Sequence, residues 1–330
     1  MGFSLFDNSK VLVTGGTGSF GKEFTRRALS NPKLKRLIIY SRDEMKQYEM
    51  AKEFSDPRIR FFIGDVRDKE RLSRAFNGVD YVVHAAALKI VPTAEYNPFE
   101  YIKTNIHGAM NIIDVAIDRG VKKVVALSTD KAANPVNLYG ATKLCSDKLF
   151  IAGNSYTGTD KTKFAVVRYG NVVGSRGSVI PFFRELINQG KTTLPITDER
   201  MTRFLISLPE AVDLVETAFV ETAGGEIFVK KVPSVKITDV AKAFGEQLKT
   251  EIIGIRPGEK LHEVLISDQD SDFTYEYDTY YKILPAIYQA HLNPERQAKG
   301  KKVEVGFEYN SLNNRDWLPF ERLKELVDAH

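Results

Sequence analysis

Tyr139 and Lys143, in the run Tyr-Gly-Ala-Thr-Lys, lie four positions apart and so share one face of a helix, which brings an ammonium near a phenol. A neighbouring positive charge favours phenolate, so Tyr139 reads as a usable base. Just upstream, Ser128-Thr129-Asp130-Lys131 supplies hydroxyls, a carboxylate and a second amine. Oxidising an alcohol needs the first pair alone. Asp130 and Lys131 add an acid/base couple of the kind an elimination requires, and the whole stretch reads as oxidation followed by elimination. Spacing alone also leaves a plainer reading open, in which Asp130 caps the loop into the next helix, Lys131 is a surface lysine and Thr129 packs at a strand end.

The elements that must hold these groups are legible as short apolar runs alternating with amphipathic stretches: KVLVTGG, LKRLIIYSR, IRFFIGDV, VDYVVHAAA, KKVVALSTD and FAVVRYGNVVG. Apolar runs of this length, without polar alternation, are strands buried on both faces and joined by helical crossovers. The expected fold is α/β: a Rossmann-type doubly wound parallel sheet with a smaller substrate-binding C-terminal part. Residues 1–170 form the dinucleotide-binding domain and 171–330 the mainly substrate-binding part, with segments that return to the sheet. LPEAVDLVETAFVE in the second part reads as a helix, and the tail beyond about residue 268 carries no chemical signal.

After the first apolar run comes Gly15-Gly16-Thr17-Gly18-Ser19-Phe20-Gly21, a GxxGxxG loop opening a helix. Glycines let the backbone turn tightly and approach a pyrophosphate, whose charge the helix N-terminus favours. The second strand ends in Tyr40-Ser41-Arg42-Asp43 with Lys46 nearby, where an acid at the tip would select a ribose hydroxyl. Hydroxyl, guanidinium and ammonium suit a 2′-phosphate instead, so the expected cofactor is NADP. Asp43 keeps open a reading of Arg42 and Lys46 as solvated surface pairs. Asp65, followed by Val66, is suited to the adenine amine, and Ala85 and Ala86 offer small side chains where the cofactor ribose would pass.

With the glycine loop and the Ser-Thr strand end in place, the Tyr139/Lys143 pair makes the chain resemble the extended short-chain dehydrogenase/reductase superfamily. Within it, GGTGSFGKEF, YSRDEMKQYEM, FFIGDVRD, HAAALKIVPTAEYNP, STDKAANPVNLYGATK, VRYGNVVGSRGSVIPFF, ITDERMTRF and IRPGEKLHEV are similar to the inverting UDP-N-acetylglucosamine 4,6-dehydratases of pseudaminic acid synthesis. Ile90 departs from the histidine expected in that pattern. The resemblance implies that Tyr139 and Lys143 serve oxidation at carbon 4, that Lys131, as a neutral amine with its pKa pushed down, removes the carbon-5 proton, and that protonated Asp130 donates to the departing carbon-6 hydroxyl. Thr129 would bond the substrate. Lys89 and Val172 join the cofactor set, and Lys89, Asn171, Thr197, Arg203, Arg256 and Glu259 the substrate set; Thr197, Arg203 and Arg256 also admit a reading as loop-stabilising hydrogen bonders. Retaining relatives carry Asp-Glu where this chain has Asp130-Lys131.

Composition sets the outer bounds. In 330 residues, 43% hydrophobic and 27% charged are globular values, and a formal charge of +4 without basic-aromatic runs argues against a nucleic-acid partner. A single cysteine, Cys145, forms no internal disulfide and fits the cytoplasm. No leader and no membrane-spanning run is expected. No histidine, cysteine and acid spacing suggests a metal, with His84 read as a packed strand residue and His262 as a helix-face group. A homo-oligomer acting on UDP-N-acetylglucosamine is the expectation. The rivals are a retaining dehydratase, a 4-epimerase, which has no use for an elimination couple, and a catalytically silent NADP-sensing protein, which would have no need of the tyrosine/lysine pair.

Overall fold

The computed structural model describes residues 3–158, 162–175, 177–287 and 299–329. Its frame is a ten-stranded sheet. β1 (Lys10–Thr14), β2 (Arg36–Ser41), β3 (Ile59–Ile63), β4 (Tyr81–His84), β5 (Lys123–Leu127) and β6 (Lys163–Arg168) are parallel neighbours in the spatial order 3-2-1-4-5-6. Successive residues such as Val11, Leu12 and Val13, or Val82 and Val83, are all fully buried. Side chains pointing to opposite faces are therefore both covered, which is why these strands read as unbroken apolar runs. The crossovers include α1 (Ser19–Leu29), α2 (Glu44–Glu53), α3 (Lys69–Ala75), α4 (Val91–Tyr96), α5 (Pro98–Tyr101), α6 (Gly108–Asp118) and α7 (Leu138–Gly153). Strand order reverses between β1 and β4, and the crevice outside their carboxyl ends is where a doubly wound sheet takes a ligand.

The chain beyond residue 170 both leaves this sheet and returns to it. β7 (Asn171–Val172) pairs with β8 (Thr202–Ile206), beyond which α8 (Leu208–Glu221) packs on α1. Ser207 caps α8 by accepting from the Glu210 N–H, while the Glu210 carboxylate accepts the Ser207 N–H. The strand Ile227–Lys230 then extends the sheet parallel to β6, and Tyr280–Ile283, Thr274–Glu276 and Lys301–Lys302 add an antiparallel edge. These short returning strands were not individually readable. A second apolar core gathers Val173, Ile180, Phe183, Leu194, Leu205, Val235, Val240 and, from the C-terminal helix Phe320–Asp328, Leu323 and Val327.

His84, at the end of β4, is buried with Nδ1 2.8 Å from the Thr14 hydroxyl of β1. Burial, assisted by the Lys143 charge, pushes its pKa down to about 3. Below the ordinary value near 6.5 the unfolded chain takes up a proton that the folded chain refuses, so stability falls as pH drops. This one group contributes a slope of up to about 1.4 kcal/mol per pH unit. His84→Gln should flatten that loss in denaturant titrations run between about pH 7 and pH 5.

Candidate active site

Gly15 follows β1 with φ +65°, and a Cβ there would lie 2.8 Å from the Ala86 backbone. Only glycine takes that turn at so close an approach. The loops after β1 and β4 are thereby pressed together, with the Ala85 and Ala86 N–H groups donating to the Thr14 carbonyl and hydroxyl at 3.2 and 3.3 Å. At Gly21 a Cβ would meet the Gly16 carbonyl oxygen at 2.2 Å, so α1 starts flush against its own loop. No side chain caps α1, whose N-cap is Gly18, and its positive end, at Ser19 and Phe20, opens directly onto the crevice loop. An uncapped helix N-terminus behind a glycine turn is a fit for a pyrophosphate.

At the tip of β2, the Ser41 and Thr17 hydroxyls are 3.0 Å apart. Asp43 caps α2: its carboxylate accepts the Lys46 N–H at 3.0 Å and pairs with the Lys46 ammonium at 2.8 Å. The Lys46 side-chain bond, with its backbone N–H, holds the Asp43 carboxyl below the usual range. Arg42 is exposed and lies 3.8 Å from Asp65. Asp65 accepts a forked bond from Arg67 at 2.8 and 3.0 Å; burial pushes its carboxyl up, and the Arg67 bonds outweigh that and leave it low. Val66 is buried beside it, its carbonyl held by Asn111 at 3.0 Å.

β5 runs into Ser128, Thr129, Asp130 and Lys131. Ser128 donates to Asp147 at 2.7 Å, and Arg168, from the end of β6, reaches the same carboxylate oxygen at 3.4 Å. Thr129 donates to Asp130 Oδ1 at 2.8 Å, and Lys131 Nζ lies 3.1 Å from that oxygen. Asn137 caps α7 through the Gly140 N–H at 2.7 Å, so that Tyr139 and Lys143, both buried, enter from the first turns of the helix. A buried acid unforeseen from the sequence completes the group: Glu263 Oε1 is 3.4 Å from Lys131 Nζ and 3.6 Å from Arg203 Nε. Among the described residues, Asp130 Oδ2 and Glu263 Oε2 have no hydrogen-bond partner.

Two electrostatic expectations are corrected. Burial pushes the Lys131 ammonium toward losing its proton, but the Asp130 and Glu263 carboxylates outweigh it and raise Lys131 above the ordinary lysine value. Burial also pushes the Tyr139 phenol up to about 12, opposed by Lys131 and a hydrogen bond with Thr129. The cation that favours phenolate is thus Lys131 rather than Lys143. Lys143 itself is held below the usual lysine range by burial, with Asp147 opposing. The free site therefore rests with a neutral phenol, a charged Lys131 and acid/base atoms in direct contact.

The residues proposed for a substrate surround this cluster unequally. Lys89 is pushed below the lysine range by loss of solvent and by the charge of Lys131. Its loop is tied down by Asn105, which bonds both backbone groups of Leu88 at 2.9 Å and the Thr142 hydroxyl at 3.0 Å. Asn105 sits in a π-helical turn (Ile102–His107), a feature with no sequence signature. Asn171 and Ser178 carry buried oxygens without a partner among the described residues, and with Val172, Leu205 and Arg203 they line a small apolar pocket. Arg203 is also a loop-tying residue, donating to the Thr202 and Leu261 carbonyls. Arg256 is exposed, 3.9 Å from Glu259, on a loop that Asn137 and Lys260 bind to the segment before α7. Thr197 follows the strand Thr193–Ile196, and among the described residues no hydrogen bond of this cluster passes through it. His262 bonds the Thr202 hydroxyl at 2.8 Å, at the edge of the cluster.

The model of the polysaccharide biosynthesis protein family matches residues 11–285. The chain belongs to that family. Among its relatives, the UDP-N-acetylglucosamine 4,6-dehydratase (inverting) of Campylobacter jejuni is 57% identical over 98% of both chains. The UDP-glucose 4-epimerase of Rickettsia canadensis is 44% identical over 98% of this chain and 96% of its own. A dTDP-glucose 4,6-dehydratase from Streptomyces venezuelae, solved with NAD bound, superposes with a TM-score of 0.70 at 25% identity, covering 76% of this chain and 86% of that one. That superposition shows a shared α/β architecture built on a large parallel sheet. Because Asp130 and Glu263 flank Lys131, nitrogen NMR of the free protein should find the Lys131 ammonium still protonated above about pH 10.4, where an ordinary lysine is half deprotonated. Lys143 should lose its proton earlier in the same titration.

Proposed function

We propose that the chain is a UDP-N-acetylglucosamine 4,6-dehydratase that inverts carbon 5, uses NADP, and works in the cytoplasm as a homo-oligomer in pseudaminic acid or related surface-sugar synthesis. The observation that carries this reading is the direct contact of Asp130 and Lys131, 3.1 Å apart, beside buried Tyr139. The bound dinucleotide would supply a hydride acceptor that takes hydride from carbon 4 and returns it to carbon 6. Gly15, Gly18 and the α1 N-terminus would hold its pyrophosphate, Asp65 the adenine amine, and Ser41 and Arg42 the 2′-phosphate. Asp43 is engaged as the α2 cap, which leaves the strand tip without an acid free for a ribose hydroxyl.

Tyr139 would remove the carbon-4 hydroxyl proton; positive charge at the nicotinamide end and Lys131 both favour the phenolate this requires. Elimination then needs a neutral Lys131 and a protonated Asp130. One proton moving from Lys131 Nζ to Asp130 across 3.1 Å provides both with no uptake from solvent. The amine takes the carbon-5 proton, the acid gives its proton to the departing hydroxyl, and the pair returns to its resting charges; hydride return to carbon 6 is then matched by a proton added at carbon 5 from the opposite face, which inverts that centre. Asn171 and Ser178, with oxygens awaiting partners, and Arg256 and Glu259 would receive the nucleotide.

The identity to an epimerase supports a second reading, in which Tyr139 and the cofactor alone invert carbon 4. Incubation with UDP-N-acetylglucosamine separates the two: a 4-keto-6-deoxy product formed without net consumption of NADP+ is expected, and a 4-epimer alone sinks the dehydratase reading. Tyr139→Phe should slow cofactor reduction roughly 10²- to 10⁴-fold. Lys131→Ala should still reduce cofactor in a single turnover, more slowly without its charge near Tyr139, yet release no carbon-6 oxygen and place no solvent deuterium at carbon 5; deuterium entry at the parent rate rules Lys131 out as base. Arg42→Ala should weaken NADP roughly tenfold while sparing NAD, and equal affinity of the parent for both cofactors refutes the NADP assignment.

A further inference from the structure

Glu263 is a buried carboxylate in contact with Lys131 that the scheme above leaves without a role. It is 2% exposed, and its Oε1 lies between Lys131 Nζ at 3.4 Å and Arg203 Nε at 3.6 Å. Its backbone is fixed twice by one residue of the C-terminal tail: the Glu263 N–H donates to Ser311 Oγ at 2.9 Å, and the Ser311 N–H donates to the Glu263 carbonyl at 2.8 Å. Ser311 Oγ in turn lies 2.7 Å from the Thr202 hydroxyl, which bonds His262. Arg203 is anchored independently on the Thr202 and Leu261 carbonyls. A flexible lysine is thus met by an acid that the surrounding fold holds in place from both sides.

We propose that Glu263, braced by Ser311, is a positioning residue that fixes Lys131 against Asp130 for proton abstraction, an assignment that rests on the dehydratase reading. Lys131 hangs from a short turn (Asp130–Ala132), with four rotatable bonds between backbone and amine. Asp130 adjoins it in sequence and sets only how near the two heads lie. A second contact, from a residue 132 positions away, fixes the direction in which the amine points. When the amine takes up a proton, positive charge grows 3.4 Å from a carboxylate already aimed at it, where no reorganisation is needed. Oxidation at carbon 4 draws only on the charge of Lys131 near Tyr139, which does not depend on where the amine points as closely as proton abstraction does, so loss of Glu263 should act mainly on elimination.

The test compares the parent with Glu263→Gln, Lys131→Ala and the double variant in single turnovers with UDP-N-acetylglucosamine and NADP+. Glu263→Gln should reduce cofactor within a few-fold of the parent rate while slowing release of the carbon-6 oxygen and solvent deuterium entry at carbon 5 by roughly tenfold or more. The double variant should reduce cofactor no more slowly than Lys131→Ala alone, as expected for residues acting through one another. Elimination at the parent rate, equal slowing of both steps, or a further loss of cofactor reduction in the double variant would overturn the assignment. If Glu263→Gln does not fold, Glu263→Asp carries the same ratio. A readout independent of turnover separates this proposal from the reading beneath it. With Asp130, Tyr139, Arg203, Lys89 and Lys260 unchanged around it, Lys131 should lose its ammonium proton at lower pH in Glu263→Gln than in the parent, and an unchanged titration refutes the contact whatever the enzyme makes. Failure of the parent to form a 4-keto-6-deoxy product removes the dehydratase reading instead.

Discussion

The charge balance at the carboxyl end of β5 is the constraint on which the site depends. Asp130 and Glu263 are carboxylates, Lys131 and Arg203 are cations, and the four meet where little water reaches. Removing one member of such a set leaves a buried charge unmatched, typically at a cost of about 3–5 kcal/mol. The first part of the chain supplies only Asp130 and Lys131. Arg203 and Glu263 must come from the second part, so closing this cluster ties the two parts together as well as equipping the site.

The same principle accounts for the connections behind the reactive groups. Asp147 lies one helical turn beyond Lys143, accepts from Ser128 and faces Arg168, whose guanidinium also reaches the Leu265 carbonyl. Asn105 joins the loop bearing Lys89 to α7 at Thr142. None of these residues needs to touch a ligand. They fix the relative positions of two strand ends, one helix and one loop, within which Tyr139, Lys143 and Lys131 have little freedom.

What the sequence discloses and what it conceals divide along physical lines. The strands β1 to β6, the glycine loop and the Tyr139/Lys143 pair were legible because each rests on local pattern: a buried run, a turn requirement, a helical repeat. The helix Leu208–Glu221 was equally plain, carrying its capping box at Ser207 and Glu210. Glu263 was not, since a lone acid in KLHEVL looks like any surface glutamate until the fold sets it 3.4 Å from an amine. The ionisation of Lys131 was misjudged for the same reason. Burial alone would have lowered its pKa; of the two carboxylates that outweigh burial, Asp130 adjoins it in sequence but Glu263 sits far away in the chain. The π-helical turn around Asn105 and the two-residue strand Tyr309–Asn310 leave no periodicity to detect.

The brace at Ser311 ties the site to the order in which the chain is made. The glycine loop, the switch-point crevice, Tyr139 and Lys143 all lie in the first 143 residues, so a growing chain carries the groups of the dinucleotide crevice early. Glu263 emerges later, and the serine that clamps its backbone follows only at 311. Any fragment ending short of that point holds Tyr139, Lys143, Asp130 and Lys131 without the clamp on Glu263. The contact that Glu263 makes with Lys131 is therefore braced only in a chain that extends through Ser311.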